Sequence, residues 1–380
     1  MTPRVAVIGV HGYGAAHVLR ALELQRAGRV ELVGLVDPVN GPIVREGRRV
    51  AGELPTIVPT FDALLATTDV DIVVIATPLH THADLTERAL RAGADVLLEK
   101  PPVTDLVTFN RLIDARGETG RLIQVGFQSL GSLALAELMR AIDAGDLGEI
   151  EAIGAAGSWT RSHGYWTRSP WAGRRELGGV RVSDGAVSNP FAHALMTALR
   201  IAGWDSPHAI GAVETDLYRV NPIDVDDTSS LRVRPSTGVR SAFDGTLTCA
   251  FTLAGPTEDD PFISVRGTEG TAVLHYTMDR LRLPGAGARD FGREDLMENL
   301  LDARAGRAAL LSPLERAGGF VSVIETVAGR PVHAIRPSQA QWHGAGAERH
   351  PVLPGVQSAI DRAIEGQHLF RELAEAPWAR

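Results

Sequence analysis

At 380 residues the chain is longer than a single hydrophobic core usually supports, so two domains are expected. Hydrophobic residues at 44% and charged residues at 22% are close to ordinary globular usage and leave little room for extensive disorder. A net charge of −8 with no Lys/Arg run along the chain argues against a nucleic-acid partner, and a single cysteine, Cys249, excludes an intrachain disulfide and a Cys-based metal cluster.

Met1-Thr2-Pro3-Arg4 runs into an apolar strand without a basic-then-apolar leader, and no stretch has the length needed to span a bilayer. A cytoplasmic location without membrane attachment is expected. From Val5 to about Phe127, β-branched runs alternate with helical patterns, as in a parallel sheet wound with helices. Strands are predicted at Val5–Gly9, Val30–Val36, Ile57–Val58, Asp71–Ala76, Val96–Glu99 and Leu122–Phe127, with helices at Ala15–Ala27, Phe61–Thr67, His82–Ala92 and Asp105–Arg116. A helix at Ser132–Ala144, closed by Gly145, leads into longer and more polar strands: Ile150–Trp159, Ile210–Tyr218, Thr228–Val233, Gly245–Leu253, Phe262–Gly267 and Thr271–Tyr276. A helix at Pro190–Ala202 interrupts them, Glu298–Leu301 and Leu314–Val327 read as helical, and Arg330–His350 lacks periodicity. The fold class is α/β: a doubly wound Rossmann domain over residues 1–128, then an α+β domain over 129–380 with a largely antiparallel open sheet. The C-terminal tail is expected either there or packed back on the first domain.

Gly9-Val10-His11-Gly12-Tyr13-Gly14 follows the first strand and opens the first helix, the context in which a glycine-rich loop holds a dinucleotide pyrophosphate. The strict G-x-G-x-x-G spacing fails, because His11 stands where the second glycine belongs; the plainer alternative is a tight strand-to-helix turn. Asp37 ends the second strand, where a carboxylate accepts from ribose hydroxyls and favours NAD over NADP, although Arg45 could compensate an extra phosphate. Alone, Asp37 before Pro38 also reads as a turn residue. Thr77-Pro78 and Glu99-Lys100-Pro101-Pro102 follow the fourth and fifth strands, at the carboxyl edge where open α/β sheets take ligands. His80 and His82, two apart with no third ligand nearby, do not make a metal site.

These motifs, with His17, His82 and the later Asn189 and His193, resemble the Gfo/Idh/MocA family of NAD(P)-dependent oxidoreductases, and Glu99-Lys100-Pro101 is the most specific element. The resemblance implies an N-terminal Rossmann domain, a C-terminal domain whose sheet joins a homodimer or homotetramer, and NAD as cofactor. Gly9, His11, Gly12, Tyr13, Gly14, Asp37, Thr77, Pro78, His82, Glu99 and Lys100 would then line the cofactor site. It also implies Lys100 beside nicotinamide and substrate, completed by Asn189 and His193, which lie four apart on one helix face. Asn189 before Pro190 equally suits a helix N-cap, and His193 a buried structural histidine. Many relatives have Asp at the first of these positions and another Asp where this chain has Met196; a competing alignment uses Asp184 with Ser188 and discards the histidine.

Trp159, Arg161, His163, Tyr165, Trp166, Arg168, Trp171 and Arg174 form an aromatic and basic segment suited to carbohydrate, or else to anchoring a strand and loop. Substrate contacts are expected from Lys100, Gln128, Tyr165, Trp171, Arg174, Asn189 and His193. The implied activity is hydride transfer between NAD(H) and a secondary alcohol or ketone of a sugar, cyclitol or polyol. The alternatives are an NAD-retaining, redox-assisted lyase or glycosidase and a non-catalytic nicotinamide-binding sensor or scaffold.

Overall fold

The computed structural model describes residues 2–239 and 243–379. They fall into two compact units. Residues up to Val103, Val107–Gly126 and Leu296–Leu314 form the first; Thr104–Leu106, Phe127–Asp295 and the chain from Glu315 onward form the second.

The first unit is built on β1 (Arg4–Ile8), β2 (Glu31–Val36), β3 (Ile57–Val58), β4 (Ile72–Ile75), β5 (Asp95–Leu98) and β6 (Ile123–Val125), joined by α1 (Gly14–Arg26), α2 (Phe61–Leu65), α3 (His82–Arg91) and α4 (Leu106–Thr119). β1 and β4 are short β-branched runs buried on both faces, the composition a doubly covered parallel sheet requires. The strand order is β3-β2-β1-β4-β5-β6, every pair parallel. The chain winds outward from β1 to β3 and then returns to lay β4 beside β1, so the order reverses between β1 and β4. The crevice at the carboxyl ends of those two strands is where such sheets take dinucleotides.

The division by residue order expected at 128/129 is crossed in both directions: Thr104–Leu106, Phe127 and Gln128 group with the second unit, and Leu296–Leu314 groups with the first. α7 (Leu296–Arg304), expected with the second domain, belongs to the first unit. Leu296, Met297, Leu300 and Leu301 complete the cluster that holds Val5, Val7, Ile72 and Leu97. Polar groups fix the docking: buried Gln124 donates to Asn299 Oδ1 (2.7 Å) and the Leu296 carbonyl (3.1 Å) and accepts from the Ser312 amide (2.9 Å). The tail beyond Glu315 lies with the second unit.

The second unit contains α5 (Leu133–Asp143), α6 (Ala192–Ala202), α8 (Gly318–Ala328) and α9 (Val356–Gly366) around a nine-stranded sheet. Its strands are β7 (Ile150–Thr160), β8 (Ile210–Arg219), β9 (Thr228–Pro235), β10 (Thr246–Thr252), β11 (Ala254–Gly267), β12 (Gly270–His275), β13 (Arg280–Arg282), β14 (Arg289–Asp290) and β15 (His333–Ala334). The order is β14-β13-β12-β11-β7-β10-β9-β8-β15, antiparallel except at β7/β10 and β8/β15. β7 needs two glycines because helices press on both of its faces. A Cβ at Gly157 would lie 2.2 Å from the Phe191 ring, at the start of α6, and one at Gly154 would lie 2.6 Å from Ile364 of α9.

α9 was not anticipated, yet Val356, Ala359, Ile360, Ala363 and Ile364 recur at helical spacing and are all buried. With Leu353, Phe370, Leu373 and Trp378 they cover Ala156 and Ala250 on the sheet. Over β7 and β10 that face of the sheet is covered by the chain's own C-terminal segment.

Candidate functional site

The cofactor candidates gather at the carboxyl edge of the first unit's sheet. The loop after β1 turns at Gly9, whose amide donates to the Val36 carbonyl (2.8 Å). Gly14 opens α1 so close to that turn that a Cβ there would sit 1.7 Å from the Gly9 carbonyl oxygen. Gly12 differs: its φ of +58° lies in the left-handed region and a Cβ would meet nothing within 4 Å. α1 has no side-chain cap and no acidic residue in its first turn, so the positive end of its dipole is not neutralised locally. An uncapped helix start beside an open glycine fits a pyrophosphate. Replacing Gly12 with Ala is expected to weaken NADH binding about tenfold, the effect of roughly 1–2 kcal/mol of left-handed strain, read by fluorescence titration.

Asp37 holds this loop. Its Oδ2 accepts from the Val10 amide (3.0 Å) and its Oδ1 from the Val39 amide (2.9 Å), so it is a turn residue and also a carboxylate at the tip of β2. His11 Nε2 lies 3.0 Å from the Val39 carbonyl, which makes the non-glycine residue a strut between the two loops. Arg45 sits 5.6 Å over the ring of half-exposed Tyr13, next to the same loop.

Thr77 and Pro78 follow β4, and Glu99 and Lys100 follow β5. His82, expected at the cofactor, is instead a strut: it is 2% exposed, with Nδ1 3.0 Å from the Pro101 carbonyl and Nε2 2.9 Å from the Thr77 carbonyl. Both ring nitrogens face protein carbonyls, of which a neutral ring donates to one at a time, so neither nitrogen faces a cofactor or a metal. Burial pushes its pKa below the usual value, against the pull of the two carbonyls. His82→Leu should cost about 1–3 kcal/mol of stability per acceptor left unsatisfied, measured by urea unfolding. Among the described residues, no group of three or more His, Cys, Asp or Glu could hold a metal ion.

Sequence reading gave His17 and Glu99 no joint role, but His17 Nε2 lies 2.8 Å from Glu99 Oε1, tying α1 to the lysine loop. Glu99 Oε2 also accepts from the Lys100 amide (3.2 Å).

In the second unit the substrate candidates split. His193 lies in the first turn of α6, whereas Asn189 lies in the turn before it and not on the helix face expected to carry both; nor is it the N-cap, a place that Phe191 occupies without a side-chain bond. Asn189 Nδ2 donates instead to Asp184 Oδ1 (2.5 Å). His193 lies against the edge of Phe127 (centroids 5.9 Å apart) and near Tyr276 (6.4 Å). Upstream, aromatic rings and guanidiniums alternate. Arg161 lies over Trp159 (4.8 Å) and Tyr165 (5.3 Å), and Arg168 over Tyr165 (3.9 Å) and Trp171 (4.6 Å). Burial pushes the Tyr165 hydroxyl up to about 12. Arg174, expected at substrate, is more than half exposed and pairs with Asp224 (3.3 Å); Gln128 starts a short 3-10 turn over Gln128–Gly131. Arg168 and Asp184 are the residues that sequence reading undervalued, because aromatic neighbours and a carboxylate sixteen positions away leave no local pattern.

Two family models match the chain: the oxidoreductase family with NAD-binding Rossmann fold over residues 3–127, and the GFO/IDH/MocA C-terminal domain over residues 135–273. The inositol 2-dehydrogenase of Rhizobium meliloti (strain 1021) is 33% identical over 153 residues, which is 40% of this chain and 44% of that protein. That of Rhodococcus erythropolis (strain PR4 / NBRC 100887) is 38% identical over 149 residues, 38% of this chain and 41% of that protein. The matched segment thus spans less than half the length of these relatives. Among solved structures, the WlbA dehydrogenase of Bordetella pertussis, in complex with NADH and UDP-GlcNAcA, superposes with a TM-score of 0.67 at 20% identity over 87% of this chain and 96% of that one. The aldose-aldose oxidoreductase of Caulobacter crescentus, complexed with glycerol, gives 0.65 at 19% identity over 86% and 96%. At such identities the structures establish the shared fold. With its first unit matched by the NAD-binding model and its second by the C-terminal model of the same family, the chain belongs to the Gfo/Idh/MocA oxidoreductases.

Proposed function

We propose that the chain is an NAD-dependent dehydrogenase that oxidises a secondary alcohol of an uncharged sugar, cyclitol or related polyol, or reduces the corresponding ketone. The observation that carries this reading is an uncapped glycine-rich loop and a lysine after β5 on one edge of one sheet. Gly9, Gly12, Gly14 and Asp37 would hold the dinucleotide, and NAD, when bound, supplies the hydride acceptor. Asp37 at the tip of β2 favours NAD, since a 2′-phosphate would meet its negative charge.

The protein's own groups handle charge and protons. Lys100 stabilises the negative charge that develops on the substrate oxygen, and His193 takes the hydroxyl proton. Asn189 and the Tyr165–Trp171 wall orient the ring. An uncharged substrate is favoured by charge matching along that wall. Arg161 pairs with Glu258 (2.5 Å), Arg168 with Asp184 (2.9 Å) and Arg174 with Asp224 (3.3 Å), so each guanidinium already faces a carboxylate. The inositol 2-dehydrogenases among the relatives support a cyclitol.

A panel of sugars, cyclitols, uronates and sugar nucleotides, followed by NADH absorbance beside an NADP control, tests the reading. Turnover of an uncharged polyol with NAD is expected to exceed that of any uronate. A protein that binds neither NAD(H) nor NADP(H) at millimolar concentration in calorimetry would end the dehydrogenase reading.

A further inference from the structure

The turn that precedes α6 is held rigidly. Gly185, Ala186, Val187 and Ser188 are buried, and the Asn189 amide closes the turn onto the Gly185 carbonyl (3.1 Å). A Cβ at Gly185 would lie 2.1 Å from Asp226 Oδ1, so the turn packs directly on that buried carboxylate. Asp226 in turn accepts from the Val187 amide (3.3 Å) and the Ser229 hydroxyl (2.6 Å). Asp184 and Asn189, at either end, meet side chain to side chain.

Asp184 is 4% exposed and its two oxygens receive four donor contacts. Oδ1 takes Asn189 Nδ2 (2.5 Å) and Arg168 Nη2 (3.2 Å); Oδ2 takes Arg168 Nη2 (2.9 Å) and the Gly173 amide (2.9 Å). The guanidinium of Arg168 lies over the rings of both Tyr165 and Trp171. A carboxylate with this donor set acts only as an acceptor. We propose that Asp184 is a positioning residue for the reaction: it holds the Asn189 amide by its NH2 group, so that the carbonyl oxygen of Asn189 is turned toward the substrate and accepts from one of its hydroxyls. The inference rests on the dehydrogenase reading of the same site.

The amide orientation follows from the chemistry of the partner. An NH2 must face an ionised carboxylate, and in a planar amide the oxygen then lies on the other side. Burial pushes the Asp184 carboxyl up, while Arg168, Asn189 and Gly173 pull it back toward the ionised form. An aspartate at 189 would set two carboxylates at hydrogen-bond distance, where one must take a proton. Asn189 and Asp184 therefore belong together, and recognition of a hydroxyl donor falls to the asparagine.

The test is a double-mutant cycle with full-length protein, the best NAD-linked polyol as substrate, and Asp184→Asn and Asn189→Ala made singly and together. Asp184→Asn should lower kcat/KM about tenfold in the wild-type background, the loss of one oriented hydrogen bond, and less than about twofold when residue 189 is already Ala. The Kd for NADH should not move in any variant. An equal loss in both backgrounds would mean that Asp184 only supports the turn, and overturns the proposal. Because Asp184→Asn could also loosen the fold, the Asn189 side-chain amide is followed separately by 15N NMR, assigned from its absence in Asn189→Ala. It should be protected from solvent exchange in the wild type and lose that protection in Asp184→Asn. An amide insensitive to residue 184 overturns the proposal whatever the protein oxidises, whereas failure of the wild type to oxidise any polyol counts against the dehydrogenase reading itself.

Discussion

Lys100→Met is expected to abolish polyol oxidation, lowering kcat by about 10³-fold, while NADH binding stays within about threefold of wild type. Methionine keeps the length and apolar character of the lysine stem and removes only the ammonium. The backbone of the loop that presents it is held by other groups: the amide of Lys100 donates to Glu99 Oε2 at 3.2 Å, and Glu99 Oε1 lies 2.8 Å from His17 Nε2. In the proposed reaction the substitution removes stabilisation of negative charge on the reacting oxygen. Single-turnover absorbance together with fluorescence titration of NADH separates the two effects. Equal loss of cofactor binding would assign Lys100 to holding the dinucleotide and remove it from the chemistry.

The same chain of support explains why the first unit was so legible in the sequence. A buried parallel strand has to be short, apolar and β-branched, and it has to be followed by a turn; Val5–Ile8 and Ile72–Ile75 satisfy all three conditions without reference to anything distant. The six strands fall within two residues of their expected limits. The tight turn at Gly12 and Gly14 is readable because its geometry is local. The strut at His82 is not, since its carbonyl partners lie five and nineteen residues away and nothing in Thr-His-Ala-Asp announces them.

The second unit was less legible for two physical reasons. β11 runs fourteen residues, Ala254–Gly267, of which only Phe262–Gly267 is expected as a strand; pairing with β7 through irregular register keeps the acidic Glu258-Asp259-Asp260 stretch extended against its propensity. α7 carries a clear apolar face, but a face does not say which core it completes, and Leu296–Leu301 belong to the first unit's cluster. In the candidate site the spacing of Asn189 and His193 was visible, whereas the value of Asp184 was not. Its role depends on Arg168, and Arg168 depends on Tyr165 and Trp171. Local periodicity carries no information about such a relay.

His193→Ala provides the second large effect and tests the proton rather than the charge. Removing the base should lower kcat by about 10²–10⁴-fold. The sign of the pH dependence follows from the chemistry: alcohol oxidation needs a neutral imidazole to take the proton, so kcat/KM of the wild type should fall as the medium becomes acidic enough to protonate the ring. In His193→Ala that acid limb should disappear. The substitution also leaves a space beside Phe127, whose ring edge the imidazole packs against at 5.9 Å between centroids, and free imidazole has the shape to enter it. Partial rescue by added imidazole, increasing with pH, is therefore expected. A variant that keeps wild-type turnover and the wild-type acid limb would show that another group takes the proton, and would leave His193 as a packing residue between Phe127 and Tyr276.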